Sequence, residues 1–187
     1  MDRLKKYIAS ITEFSDESWA ILQGCITVID AARNTDILKE GEKCNAVYFL
    51  AEGYCRSFYL QDGREINTGF YFENDFVTNL KSLTTSSRSE YFIRTGEKSK
   101  IFSINKTALL EAYKKSHQLE TFGRKVLELI SLKQEEHSNS FKLYTPSEQY
   151  HRLVQQHPHI LQRVSLTQLS SYLGISRETL SRIRAEK

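Results

Sequence analysis

Four side chains near the end of the sequence have the chemistry to read a base pair: Arg177, Glu178, Ser181 and Arg182, in ISRETLSRIRAEK. A guanidinium can bond both acceptors that guanine presents in the major groove, and a carboxylate accepts from cytosine. If a helix opens after Ser176, Leu180 and Ile183 face a core and those four point outward. Around them lie groups suited to phosphate, namely Ser165, Thr167, Ser176, Thr179, Arg184 and Lys187. Such contacts orient a protein on a duplex without specifying sequence.

The residues just upstream supply what this face needs for support. A helix-turn-helix requires two short helices crossing steeply at a tight turn. In RVSLTQLSSYLGIS, Ser165 and Gln168 form a capping box that opens the first helix. Leu166, Leu169 and Leu173 make its inward stripe, and small Ser170 allows close approach of a second helix. Gly174 falls where the turn requires positive φ. Ile175 plugs the corner, Ser176 caps the second helix, and Glu178 suits its first turn. The alternative is a helical hairpin with a solvated charged face. Caps, turn glycine, small residue and apolar spacing all favour the DNA reader.

Other constellations carry less. Cys25, Cys44 and Cys55 match no zinc spacing and are one thiolate short of a four-cysteine cluster. They read as buried structural thiols, with a Cys44–Cys55 redox switch as the rival. The triplet His157-Pro158-His159 reads as a polar loop between helices, and no metal or other cofactor is expected. The sequence has no nucleophile elbow, no phosphate-cradling glycine loop and no paired carboxylates, so no enzyme is expected.

The 187 residues suffice for a real core. No apolar run approaches a membrane span. The opening MDRLKKYIASITEFSDESW reaches acidic residues too soon for a secretory signal, so a reduced, cytoplasmic protein is expected. Net charge is +3 from 26 basic and 23 acidic residues, and all of that excess falls in 143–187, which holds six Lys/Arg and three Asp/Glu. A basic excess there is the electrostatic footprint of a DNA partner.

Three textures give the order of elements. Residues 2 to about 24 show helical spacing at Leu4, Ile8 and Ile11, with Ser15 or Asp16 capping a second helix through Trp19 and Leu22. Between about 25 and 104, short aromatic and β-branched runs alternate with glycine turns. These predict an antiparallel roll, with QDGRE and RTGEKSK as hairpin turns. Beyond Asn105 the pattern is helical: a short NKTALLEAYKK helix, then a long one over about 117–142. Its stripe of Leu119, Phe122, Val126, Leu129 and Ile130 suits either a dimer partner or its own β-domain. Pro146 marks a break. The expected class is α+β, with a β-roll and long helix in 1–142 and a helix-turn-helix domain in 143–187.

ISRETLSRIR resembles the recognition helix of the Crp/Fnr family of bacterial transcription regulators, and GEKCNAVYFLAEGYCRSFYLQDGRE looks like that family's strand–turn–strand run. The resemblance covers nearly the whole chain. It implies a cyclic-nucleotide-binding-type roll, a homodimer through the long helix, double-stranded DNA as partner, and RNA polymerase as a further one. It also implies base contacts by Arg177, Glu178 and Arg182. Two departures stand out. Many members continue into a β-hairpin wing, for which this sequence has no residues, and a wing's loss should cost affinity more than specificity. In members that bind cyclic AMP, a Gly-Glu pair meets the ribose and an Arg-Ser pair meets the phosphate. Here Thr78-Asn79 and Arg88-Ser89 stand at those places, with Glu90 following. Asn79, Arg88 and Ser89 are therefore the candidate effector residues, and cyclic AMP is not the expected ligand. The rival reading is a ligand or redox sensor acting through a protein partner instead of DNA.

Overall fold

The computed structural model describes residues 1–185. It opens with α1 (Asp2–Ile11) and α2 (Asp16–Gln23). Leu4 and Ile8, one turn apart, are fully buried. Ser15 caps α2 by accepting from the Ser18 N–H, one of the amides that a helix start leaves free.

Eight strands follow: β1 (Ile26–Ala31), β2 (Asp36–Leu38), β3 (Ala46–Glu52), β4 (Cys55–Gln61), β5 (Arg64–Tyr71), β6 (Phe76–Val77), β7 (Phe92–Thr95) and β8 (Ser99–Asn105). They pair antiparallel in two sheets, ordered β1-β8-β3-β6 and β2-β7-β4-β5. This is the expected α+β roll. Its core is aromatic and aliphatic, with Phe49 lying 5.0 Å from Phe76 and 6.2 Å from Phe102 between ring centres. QDGRE closes the β4–β5 hairpin with Asp62 and Gly63 both at positive φ, as a two-residue primed turn requires.

RTGEKSK, however, is not a hairpin. β7 pairs in the second sheet and β8 in the first, so the segment is a corner that carries the chain between sheets. Gly96 serves close approach there: a Cβ would stand 1.9 Å from the Tyr54 ring. A short helix, α3 (Leu80–Thr85), also interrupts the strands between β6 and β7. Six residues are too few to show a helical period, so its only local signal is the Asn79 cap.

The helical half comprises α4 (Lys106–Tyr113), α5 (His117–Leu143), α6 (Pro146–Gln156), α7 (Ile160–Arg163), α8 (Leu166–Tyr172) and α9 (Arg177–Ala185). On α5, Leu119, Phe122, Val126 and Ile130 are buried against the protein's own roll, Phe122 meeting Phe14 and Phe76. That stripe is intramolecular core. Leu129, which the spacing groups with it, is exposed together with Leu127 and Leu132. After α5 the break falls at Tyr144–Thr145. Pro146 then takes the first turn of α6 behind a Thr145–Glu148 capping box, where its missing N–H costs nothing.

Candidate nucleic-acid interface

The helix-turn-helix forms as its local signals require. Ser165 accepts from Gln168 N–H and the Gln168 side chain accepts from Ser165 N–H, completing the capping box on α8. Leu169 and Leu173 are buried, Leu166 is partly so, and Ser170 is buried at the crossing. Gly174 turns the chain at φ +66 with nothing near its missing Cβ, so its role is conformational freedom and not close packing. Ser176 caps α9 by accepting from Thr179 N–H at 3.1 Å. Leu180 and Ile183 then anchor α9 in a second hydrophobic cluster.

What remains outward is the set expected to read bases. Arg177, Glu178, Ser181 and Arg182 are all exposed along one side of α9. The Glu178 carboxyl is held below the ordinary carboxylate range by the amide at its own helix start and by the Ser176 hydroxyl. It is thus an acceptor at neutral pH. Ser165, Thr167, Ser176 and Arg184 are exposed around the set, and Thr179 is half-buried beside Ser176. Lys187 lies outside the described residues.

Three aromatic residues of the roll complete the core under this face. Tyr54, Phe70 and Phe72 cluster with Tyr150, Ile160, Val164, Leu169, Leu173, Leu180 and Ile183. No local pattern marks them, because their partners lie about a hundred residues away. α8 also seals the free edge of β5: Ser171 Oγ accepts from Asn67 N–H at 3.0 Å and donates to Glu65 O at 2.7 Å. Beneath that edge, buried Arg56 bonds the Glu65 carboxylate and the Asn67 side chain at 2.7 and 2.8 Å.

The candidate effector residues come together at α3. Asn79 is buried, caps α3 by accepting from Ser82 N–H, and donates to Ser89 Oγ at 2.8 Å. Ser89 Oγ donates on to Tyr91 O, while exposed Arg88 donates to Gly41 O. Glu90 pairs with Lys81 at 2.6 Å. Thr78 Oγ1 donates to Ala46 O, and Tyr91 Oη donates to Thr78 O at 3.3 Å. These groups are satisfied by one another.

The three thiols are buried and free, and burial pushes the Cys55 thiol up to about 12. His157 packs half-buried on Phe72 at 5.0 Å, whereas His159 is exposed. Among the described residues no group of three or more His, Cys, Asp or Glu is placed to hold a metal, and no helix is long and apolar enough to cross a membrane.

Residues 28–116 match the cyclic nucleotide-binding domain family. No curated protein matches the sequence. Solved structures do match its shape. FixK2 from Bradyrhizobium japonicum is 19% identical, with a TM-score of 0.68 over 86% of this chain and 83% of its own. The c-di-GMP-responsive global regulator CLP from Xanthomonas campestris is 16% identical, with a TM-score of 0.65 over 92% and 91%. A protein from Eubacterium rectale assigned to the Crp/Fnr family is 15% identical, with a TM-score of 0.66 over 91% and 82%. Residues 28–116 are therefore similar to a cyclic nucleotide-binding domain, and the chain shares the overall fold of these solved structures.

Proposed function

We propose that the protein is a sequence-specific DNA-binding transcription regulator of the cytoplasm that acts as a homodimer on a pseudo-palindromic operator. The observation that carries this reading is the exposed side of α9, where Arg177, Glu178, Ser181 and Arg182 face outward from a packed helix-turn-helix. In a dimer joined along α5, two such helices would enter successive major grooves about 34 Å apart. The exposed Leu129 and Leu132, on one side of the helix, supply apolar surface on α5 for that pairing. Nothing in this role is catalytic.

Cyclic AMP is not the effector in this reading. Support comes from Asn79 and Ser89, whose polar groups are engaged with each other.

The test is made at the reading face. Arg182→Ala, profiled on duplexes varied at every position of the preferred site, is expected to lose about 1–3 kcal/mol and relax preference at one position per half-site. An unchanged base profile would remove Arg182 from the reading set. A folded protein that prefers no duplex would favour the protein-partner alternative.

A further inference from the structure

Arg163 closes α7, just before the helix-turn-helix, and it reaches across to the roll. Its two terminal nitrogens grip the Glu73 carboxylate at 2.8 Å each, and Nη2 and Nε hold Glu97 Oε1 at 2.5 and 3.2 Å. The guanidinium lies 5.1 Å from the Phe72 ring centre and 5.6 Å from that of Tyr54. Glu73 is itself fixed, accepting from Gly53 N–H at 2.9 Å. Burial pushes its carboxyl up, but the Arg163 fork and the Gly53 amide more than offset this and hold it ionised. Such a fork fixes orientation as well as distance, which a lysine cannot do.

We propose that Arg163 is a positioning residue for DNA reading: with Glu73 and Glu97 it fixes where the recognition helix sits on the roll, and so sets the half-site separation the dimer accepts. This rests on the function proposed above. The segment after α5 spans only about 40 residues, a length at which a core alone is marginal, and it borrows Tyr54, Phe70 and Phe72 to complete that core. It needs a fixed seat. The seat leaves the reading face open, because Arg177, Glu178, Ser181 and Arg182 stay exposed while α8 is docked through Ser171 on the β5 edge. Docking therefore pre-orders the reader, and less ordering is left to be done when DNA binds.

The experiment uses the full chain and duplexes that it selects from a random pool, rebuilt with their half-sites moved closer or further by a few base pairs. The wild-type protein is expected to prefer one separation by at least about tenfold, the factor that 1.4 kcal/mol produces. Arg163→Gln should flatten that preference below about threefold while leaving the preferred bases of each half-site unchanged. Arg163→Lys should retain part of it. Glu73→Gln, which keeps an acceptor for Gly53 N–H, should act in the same direction as Arg163→Gln and serves if the latter fails to fold. Overturning results are a wild-type spacing profile in both glutamine variants, or a loss of base preference together with spacing preference, which would make the cluster a folding element. If the wild-type protein selects no duplex, the DNA-reading function itself fails, an outcome distinct from any behaviour of the variants.

Discussion

At the scale of single residues, the exposed side of α9 depends on groups that are not part of it. Gly174 adopts φ +66 with open space around it. Gly174→Ala should thus cost about 1 kcal/mol or somewhat more through backbone strain alone, read as a lower melting temperature with base preference unchanged. Gly96 differs in kind: an alanine there meets the Tyr54 ring, and the Tyr54 ring helps to seat the helix-turn-helix. Residues of the first type are legible in the sequence because a turn glycine between two capped helices has a local signature. Arg163 and its carboxylates are not. They stand 66 and 90 positions apart, and an arginine closing a four-residue helix looks like any exposed cation until the roll is folded beneath it.

Among elements, α5 serves two surfaces. Its inward stripe welds it to the roll through Phe122, Val126 and Ile130, and Lys133 extends the contact by pairing with Asp75 at 2.8 Å. Leu129 and Leu132 are left exposed beside that stripe. Leu132→Glu is accordingly expected to leave the roll folded and shift the proposed dimer toward monomer, measured by sedimentation at micromolar concentration. Unchanged mass would move the dimer contact elsewhere. The spacing along α5 shows an apolar stripe but not which of two neighbours it meets, since packing on a sheet and packing on a helix need the same period. The corner at RTGEKSK shows the same limit. Turn composition marks where a chain bends, while the sheet it enters next is decided by distant pairing partners.

Across the whole molecule, roll and reader are held together by contacts that respond to pH. Burial, with the nearby Lys133 charge, lowers the pKa of both His137 and His157, although Asp75 opposes it at His157. His137 rests against Tyr172 and His157 against Phe72. As pH falls below the ordinary value of 6.5, the unfolded chain takes up protons that the folded one resists, so stability declines from there down to the folded-state pKa values. Glu73 adds a loss of the same sign below its ordinary 4.5, where the unfolded carboxyl protonates first. Thermal unfolding should show a melting temperature that drops between neutral pH and the acidic side of 6.5, with a shallower slope in His157→Phe. The central claim, that a dimer presents two α9 helices to DNA, is tested most directly by selecting tight binders from a random duplex pool at near-physiological salt. The expected result is a two-fold symmetric consensus whose half-site centres lie one helical turn apart. No enrichment by a folded dimer, or a single asymmetric site bound by one chain, would contradict it.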